Sequence, residues 1–88
     1  MKHNFRQLNI WKISIDFAKK VLKITRDFPK FEQYALVSQL NRSAISIPSN
    51  IAEGSARSTN KDFCRFLDIA LGSAYELETQ LILSHSLD

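Results

Sequence analysis

Apolar residues recur at spacings of three and four through most of the chain, and no segment alternates apolar and polar positions long enough to make a strand. Three stretches carry the helical period. The first runs from about Gln7 to Asp27 and stops before Pro29, since a residue preceding proline is pushed out of the helical region. On a wheel of about 100° per residue, Leu8, Trp11, Ile15, Ala18 and Leu22 form one stripe and Ile10, Ile13, Phe17, Val21, Ile24 and Phe28 another, roughly 130° away. One stripe suffices for a helix on the rim of a small monomer, so two predict two partners, one of them another subunit.

The second stretch begins at Glu32 or Tyr34 and extends to about Ala52, with Leu36, Val37, Leu40, Ala44, Ile47 and Ile51 on one side. Ser38, Gln39, Arg42, Ser46, Ser49 and Glu53 take the other side. The phase passes through Pro48 unchanged, so the helix is expected to continue past its proline. An interior proline costs about 3 kcal/mol and leaves the Ala44 carbonyl without a partner. Ser43, Ser46, Ser49 and Asn50 read as backbone helpers and packing contacts, because such side chains commonly bond locally. "AEG" reads as a helix end with Gly54 in the left-handed conformation. A phosphate-binding P-loop is excluded, since neither its strand nor its lysine is present.

Thr59 and Asp62 resemble a capping box that opens the third helix. Phe63, Phe66, Leu67, Ala70, Ala74, Leu77 and Leu81 form its main face, with Cys64, Leu71, Tyr75 and Ile82 beside it. Gly72 in mid-helix costs about 1 kcal/mol relative to alanine, which predicts close approach of another helix there. The helix is still apolar at "LILSHSL", so the three helices look like an incomplete bundle whose remaining apolar surface needs a cover.

Composition narrows the class. The 88 residues are 44% hydrophobic, as expected for one globular domain over residues 1–88 rather than a disordered chain. No apolar run is long enough to cross a bilayer, and "MKHNFRQLN" lacks a signal-type apolar segment. With a single Cys64, which cannot form an internal disulfide, this places the chain in the cytoplasm. The net charge of +3 is unevenly spread: residues 1–30 hold eight basic and two acidic residues, net +6, and residues 31–88 hold four and seven, net −3.

Lys12, Lys19, Lys23 and Arg26, with Lys20 at the edge of their face, make helix 1 a candidate nucleic-acid surface, because an unbalanced basic stripe is the footprint of phosphate contact. The competing reading is a solvated face with Lys12–Asp16, Asp16–Lys20 and Lys23–Asp27 pairs, each worth a few tenths of a kcal/mol. Catalysis finds no support. His3 and His85 stand in no metal-ligand spacing, Cys64 has neither base nor orienting group, and Glu76 and Glu78 are two apart and point in different directions. No cofactor or metal is expected, and Arg57 is left open to a ligand.

"FRQLNIWKISIDFAKKV", "ALVSQLNRSAISIPSNIAEGSAR" and "KDFCRFLDIALGSAYELETQL" resemble the four-helix-bundle family encoded within intervening sequences of bacterial 23S rRNA genes, often labelled a ribosomal protein. Over nearly the whole chain, Gln39, Arg42, Ser46, Pro48, Asn50, Glu53 and Gly54 match its helix 2 motif, and Gly72, Ser73, Glu76 and Glu78 its helix 3 motif. The resemblance implies an all-α antiparallel up-and-down bundle, a ring-like homopentamer and no known enzymatic activity. A related accessory protein of diversity-generating retroelements implies a reverse transcriptase and structured RNA as partners. The family normally has a fourth helix, and this sequence ends within or just after the third, so the fold is expected to lack it or to take it from elsewhere.

Overall fold

The computed structural model describes residues 3–30 and 33–86. Among them every regular element is helical: a short 3₁₀ turn at Phe5–Gln7, then α1 (Asn9–Thr25), a π-helical turn at Gln33–Val37, α2 (Ser38–Ser55) and α3 (Asn60–Ser86). The all-α reading holds. A start of the second helix at Glu32 lies outside the described residues. The molecule is an elongated 46 × 19 × 17 Å, in keeping with the 27 residues of α3 at about 1.5 Å each.

α2 is the middle helix, with α1 against one side and α3 against another, while the backbones of α1 and α3 scarcely meet. Both neighbours run antiparallel to α2. At one end of the α1–α2 pair Thr25 meets Asn41, and towards the other Trp11 and Ala52 line one pocket. Along α2–α3, Ser43 meets Glu76, Ser46 meets Ser73 and Gly54 meets Phe66. The core is small: Ala18, Val21, Leu40, Ala44 and Leu77 are buried together, with Phe28, Leu36, Ile47 and Leu81 packed around them.

The two stripes of α1 part company. Ala18 of the first is buried against α2 and its neighbours are half-buried, whereas Ile10, Ile13, Phe17 and Ile24 of the second are exposed and Val21 alone turns fully inward. The expected lysine–aspartate pairs of α1 are not formed within 4.0 Å, and Glu53–Arg57 is the ion pair among the described residues. The basic side chains of α1 are therefore not held by local pairing.

Pro48 sits inside α2, as its unbroken phase requires. The side chains near it bond local carbonyls, though not that of Ala44: Ser49 Oγ donates to the Ile45 carbonyl at 2.8 Å and Asn50 Nδ2 to that of Ser46 at 2.8 Å. Gly54 corrects the sequence reading. It lies within α2, no glycine has positive φ, and the helix closes at Ala56 with φ −85°. What selects glycine is proximity: a Cβ here would lie 2.6 Å from Phe66 Cβ and 3.0 Å from Phe63 Cδ1. Gly72 is the reverse case, since a Cβ there meets nothing within 4 Å and no described helix approaches it.

α3 starts where its cap predicts. The Asp62 backbone N–H donates to Thr59 Oγ1 at 3.1 Å, satisfying one of the free donors of the first turn. The segment from His3 to α1 is tied to the bundle, because the His3 backbone N–H donates to the Ser55 carbonyl at 2.9 Å and its ring packs 5.2 Å from that of Phe63.

Candidate functional site

Five exposed cations were candidates, and the helix geometry divides them. Lys12, Lys19, Lys23 and Arg26 project within about 60° of one another on the outer side of α1, while Lys20 stands about 90° round from their middle. The surroundings agree: Lys19 lines a pocket between α1 and α2, and Lys20 lines a depression with Phe17, Val21 and Ile24. From Lys12 to Arg26 the row spans about 21 Å of helix. Lys23 and Arg26 lie at the C-terminal end of α1, where the helix dipole favours positive charge, so part of this row also serves the fold.

The motif residues of α2 and α3 meet along one polar seam. Ser43 Oγ lies 2.7 Å from Glu76 Oε1 and 3.1 Å from Gln80 Oε1. A hydroxyl carries one proton, so it donates to the carboxylate, and the Gln80 amide completes the bond with its NH₂ turned towards the serine. One turn on, Ser46 Oγ and Ser73 Oγ are 2.9 Å apart, and Asn50 Nδ2 donates to Ser46 Oγ at 2.9 Å. Next come Gly54 against the phenylalanines and Arg57, whose guanidinium lies 4.5 Å over the Phe66 ring and 4.0 Å from Glu53. Arg57 thus has internal partners.

These motif residues do structural work at the α2–α3 contact, and they span the two helices that carry the strongest sequence signal. The family model for the 23S rRNA-intervening sequence protein matches residues 6–88. The chain belongs to this family. No significant match is found among curated proteins.

The remaining motif residues of this intervening-sequence protein are dispersed. Pro48 is buried facing α1, Gln39 and Arg42 are exposed on α2, and Glu78 lines a depression with Phe17, Ala74 and Ile82 on the far side of α3 from Glu76. Cys64 is free and exposed, and among the described residues no group of three or more His, Cys, Asp or Glu could hold a metal ion. No described helix is long and apolar enough to cross a membrane.

The intervening-sequence protein also has an apolar trough, bounded by α1 and α3 and floored by α2. Ile10, Ile13 and Phe17 form one bank, Leu67, Leu71 and Ala74 the other, around a depression of about 370 Å³. It continues through depressions of about 350 and 180 Å³ towards Ile24 and Leu81, with Phe17 common to all three. Ile13 is 68% exposed, Ile24 57% and Ile82 65%, so this is an apolar surface in water rather than a core. The second stripe of α1 is the sequence signal for it.

Proposed function

We propose that this intervening-sequence protein is a non-catalytic, oligomeric helical bundle of the cytoplasm that binds RNA, or a protein that handles RNA, through the outer face of α1. The observation that carries this reading is the row Lys12, Lys19, Lys23 and Arg26, four cations side by side with no ion pair to any described residue. Such a row meets successive phosphates and releases their counterions. The free thiol of Cys64 is in keeping with a reducing compartment.

Replacing Lys12, Lys19 and Lys23 with glutamine and titrating structured RNA at several salt concentrations tests it. Three lost phosphate contacts lower the slope of log K against log salt by roughly 2 to 3. Unchanged affinity and slope would remove this face from consideration.

The trough favours a second reading, a protein-interaction scaffold with no direct nucleic-acid contact. Its apolar banks are shaped for a helix, whether the fourth helix that the family resemblance implies, a neighbouring subunit of a homopentamer, or a partner of reverse-transcriptase type. This reading expects assembly without RNA. A monodisperse monomer at high concentration in light scattering would overturn it.

A further inference from the structure

On the side of α1 away from the trough, a pocket of about 370 Å³ opens between α1 and α2. Phe5 and Trp11 line it with Ile15, Leu22 and Ile45, and Lys19 stands at its edge. The two rings meet edge to face, centroids 5.1 Å apart and planes at 65°. Phe5 is held there by the 3₁₀ turn, whose Arg6 backbone N–H donates to Asn4 Oδ1 at 3.2 Å and whose end is closed by the Leu8 N–H on the Phe5 carbonyl at 3.0 Å. The Arg6 guanidinium lies 4.5 Å over the Phe5 ring. Trp11 is half-exposed, and its indole N–H makes no hydrogen bond among the described residues.

Resting on the RNA reading above, we infer that this pocket takes an unpaired nucleobase of a strand whose phosphates lie along Lys12, Lys19 and Lys23. Cations by themselves accept any polyanion. Aromatic walls beside them add a preference for flat rings, because every base has a face that stacks on an aromatic side chain. The register fits: Lys19 lines the pocket itself, and on the helical wheel the cationic row lies about 70° from the stripe of Trp11, Ile15 and Leu22, so it borders the pocket. Paired bases have their faces covered by their neighbours in the stack, so the ligand class is single-stranded or looped RNA rather than a continuous duplex. The free indole N–H supplies a donor for a base oxygen or ring nitrogen.

Trp11 is the sole tryptophan, so its emission reports this pocket directly. The 88-residue chain is titrated with oligouridine, with an abasic ribose-phosphate strand of equal length, and with a polyglutamate of matched charge. The expected result is a change in Trp11 emission with oligouridine and an affinity about five- to a hundredfold above that of the abasic strand, the range of one stacked base. Phe5→Leu, which keeps apolar bulk, should reduce that preference, and Lys19→Gln should weaken both strands alike. Equal affinity for the two strands with unchanged emission overturns the base pocket and leaves the basic face standing. Binding of neither strand overturns both readings. Polyglutamate binding as tight as oligouridine overturns the base pocket in favour of an acidic protein partner.

Discussion

Phe66 approaches Gly54 so closely that a Cβ on the glycine would lie 2.6 Å from Phe66 Cβ. The atom in the way belongs to the stem of the side chain, which cannot swing aside without moving α3. Gly54→Ala should therefore destabilise the chain by about 1 to 3 kcal/mol, the range for overpacking, although alanine is the better helix former. Gly72→Ala, with open space around it, should stabilise by about 0.5 to 1 kcal/mol. Urea unfolding of the two variants should give shifts of opposite sign.

Ser43 is buried between Glu76 and Gln80. Ser43→Ala removes the buried hydroxyl between them and should cost about 0.5 to 1.5 kcal/mol, the net worth of a hydrogen bond, because the exposed Glu76 carboxylate can turn to water. Thermal unfolding followed by circular dichroism measures it. A loss below a few tenths would show that water replaces the hydroxyl without cost.

Lys20 lies off the row formed by Lys12, Lys19 and Lys23. Lys20→Gln should leave the salt slope of RNA binding close to its original value, while Lys19→Gln should lower it by roughly 0.7 to 0.9. Fluorescence anisotropy at a series of salt concentrations separates the two.

Ile13 is the most exposed large apolar residue on the banks of the trough. Ile13→Glu should change the stability of a single chain by no more than about 0.5 kcal/mol, as for a surface position, yet put a charge into any interface that covers the trough. On the scaffold reading proposed above, the mass in solution should fall to that of the monomer. A retained assembly would place the contact elsewhere.

Helix identity was legible along most of the sequence because periodicity survives local exceptions, and α2 kept its phase through Pro48. Glycine was less legible. A left-handed helix end and a close helix crossing both select for a missing Cβ, so Gly54 fitted either account, and its separation from Phe66 is a tertiary fact. The same inference misplaced an approach at Gly72, where no described helix comes near. At the candidate site, the wheel already puts Lys20 at the edge of the basic side of α1, and the lining of two separate depressions divides it from Lys19. The polar seam was visible as residues and not as a seam: Ser43, Ser46 and Asn50 share one edge of α2, and Ser73, Glu76 and Gln80 share one edge of α3. Which edges face each other is decided by the crossing of the two helices.

The central position of α2 has a bearing on the order in which the molecule comes apart. α1 and α3 are joined through α2 and scarcely to each other, and the α2–α3 pair has the serine and asparagine bonds, the Gly54 crossing and the Arg57–Phe66 stack to itself. Among the described residues α1 has one cross-helix side-chain hydrogen bond of its own, Thr25 Oγ1 to Asn41 at 2.8 Å, and a mostly apolar face. Opening fluctuations follow the boundaries of such units, so α1 can lift away while the α2–α3 hairpin stays closed. The helix that bears the lysine row and one bank of the trough is then also the first to give up its amide protons to solvent.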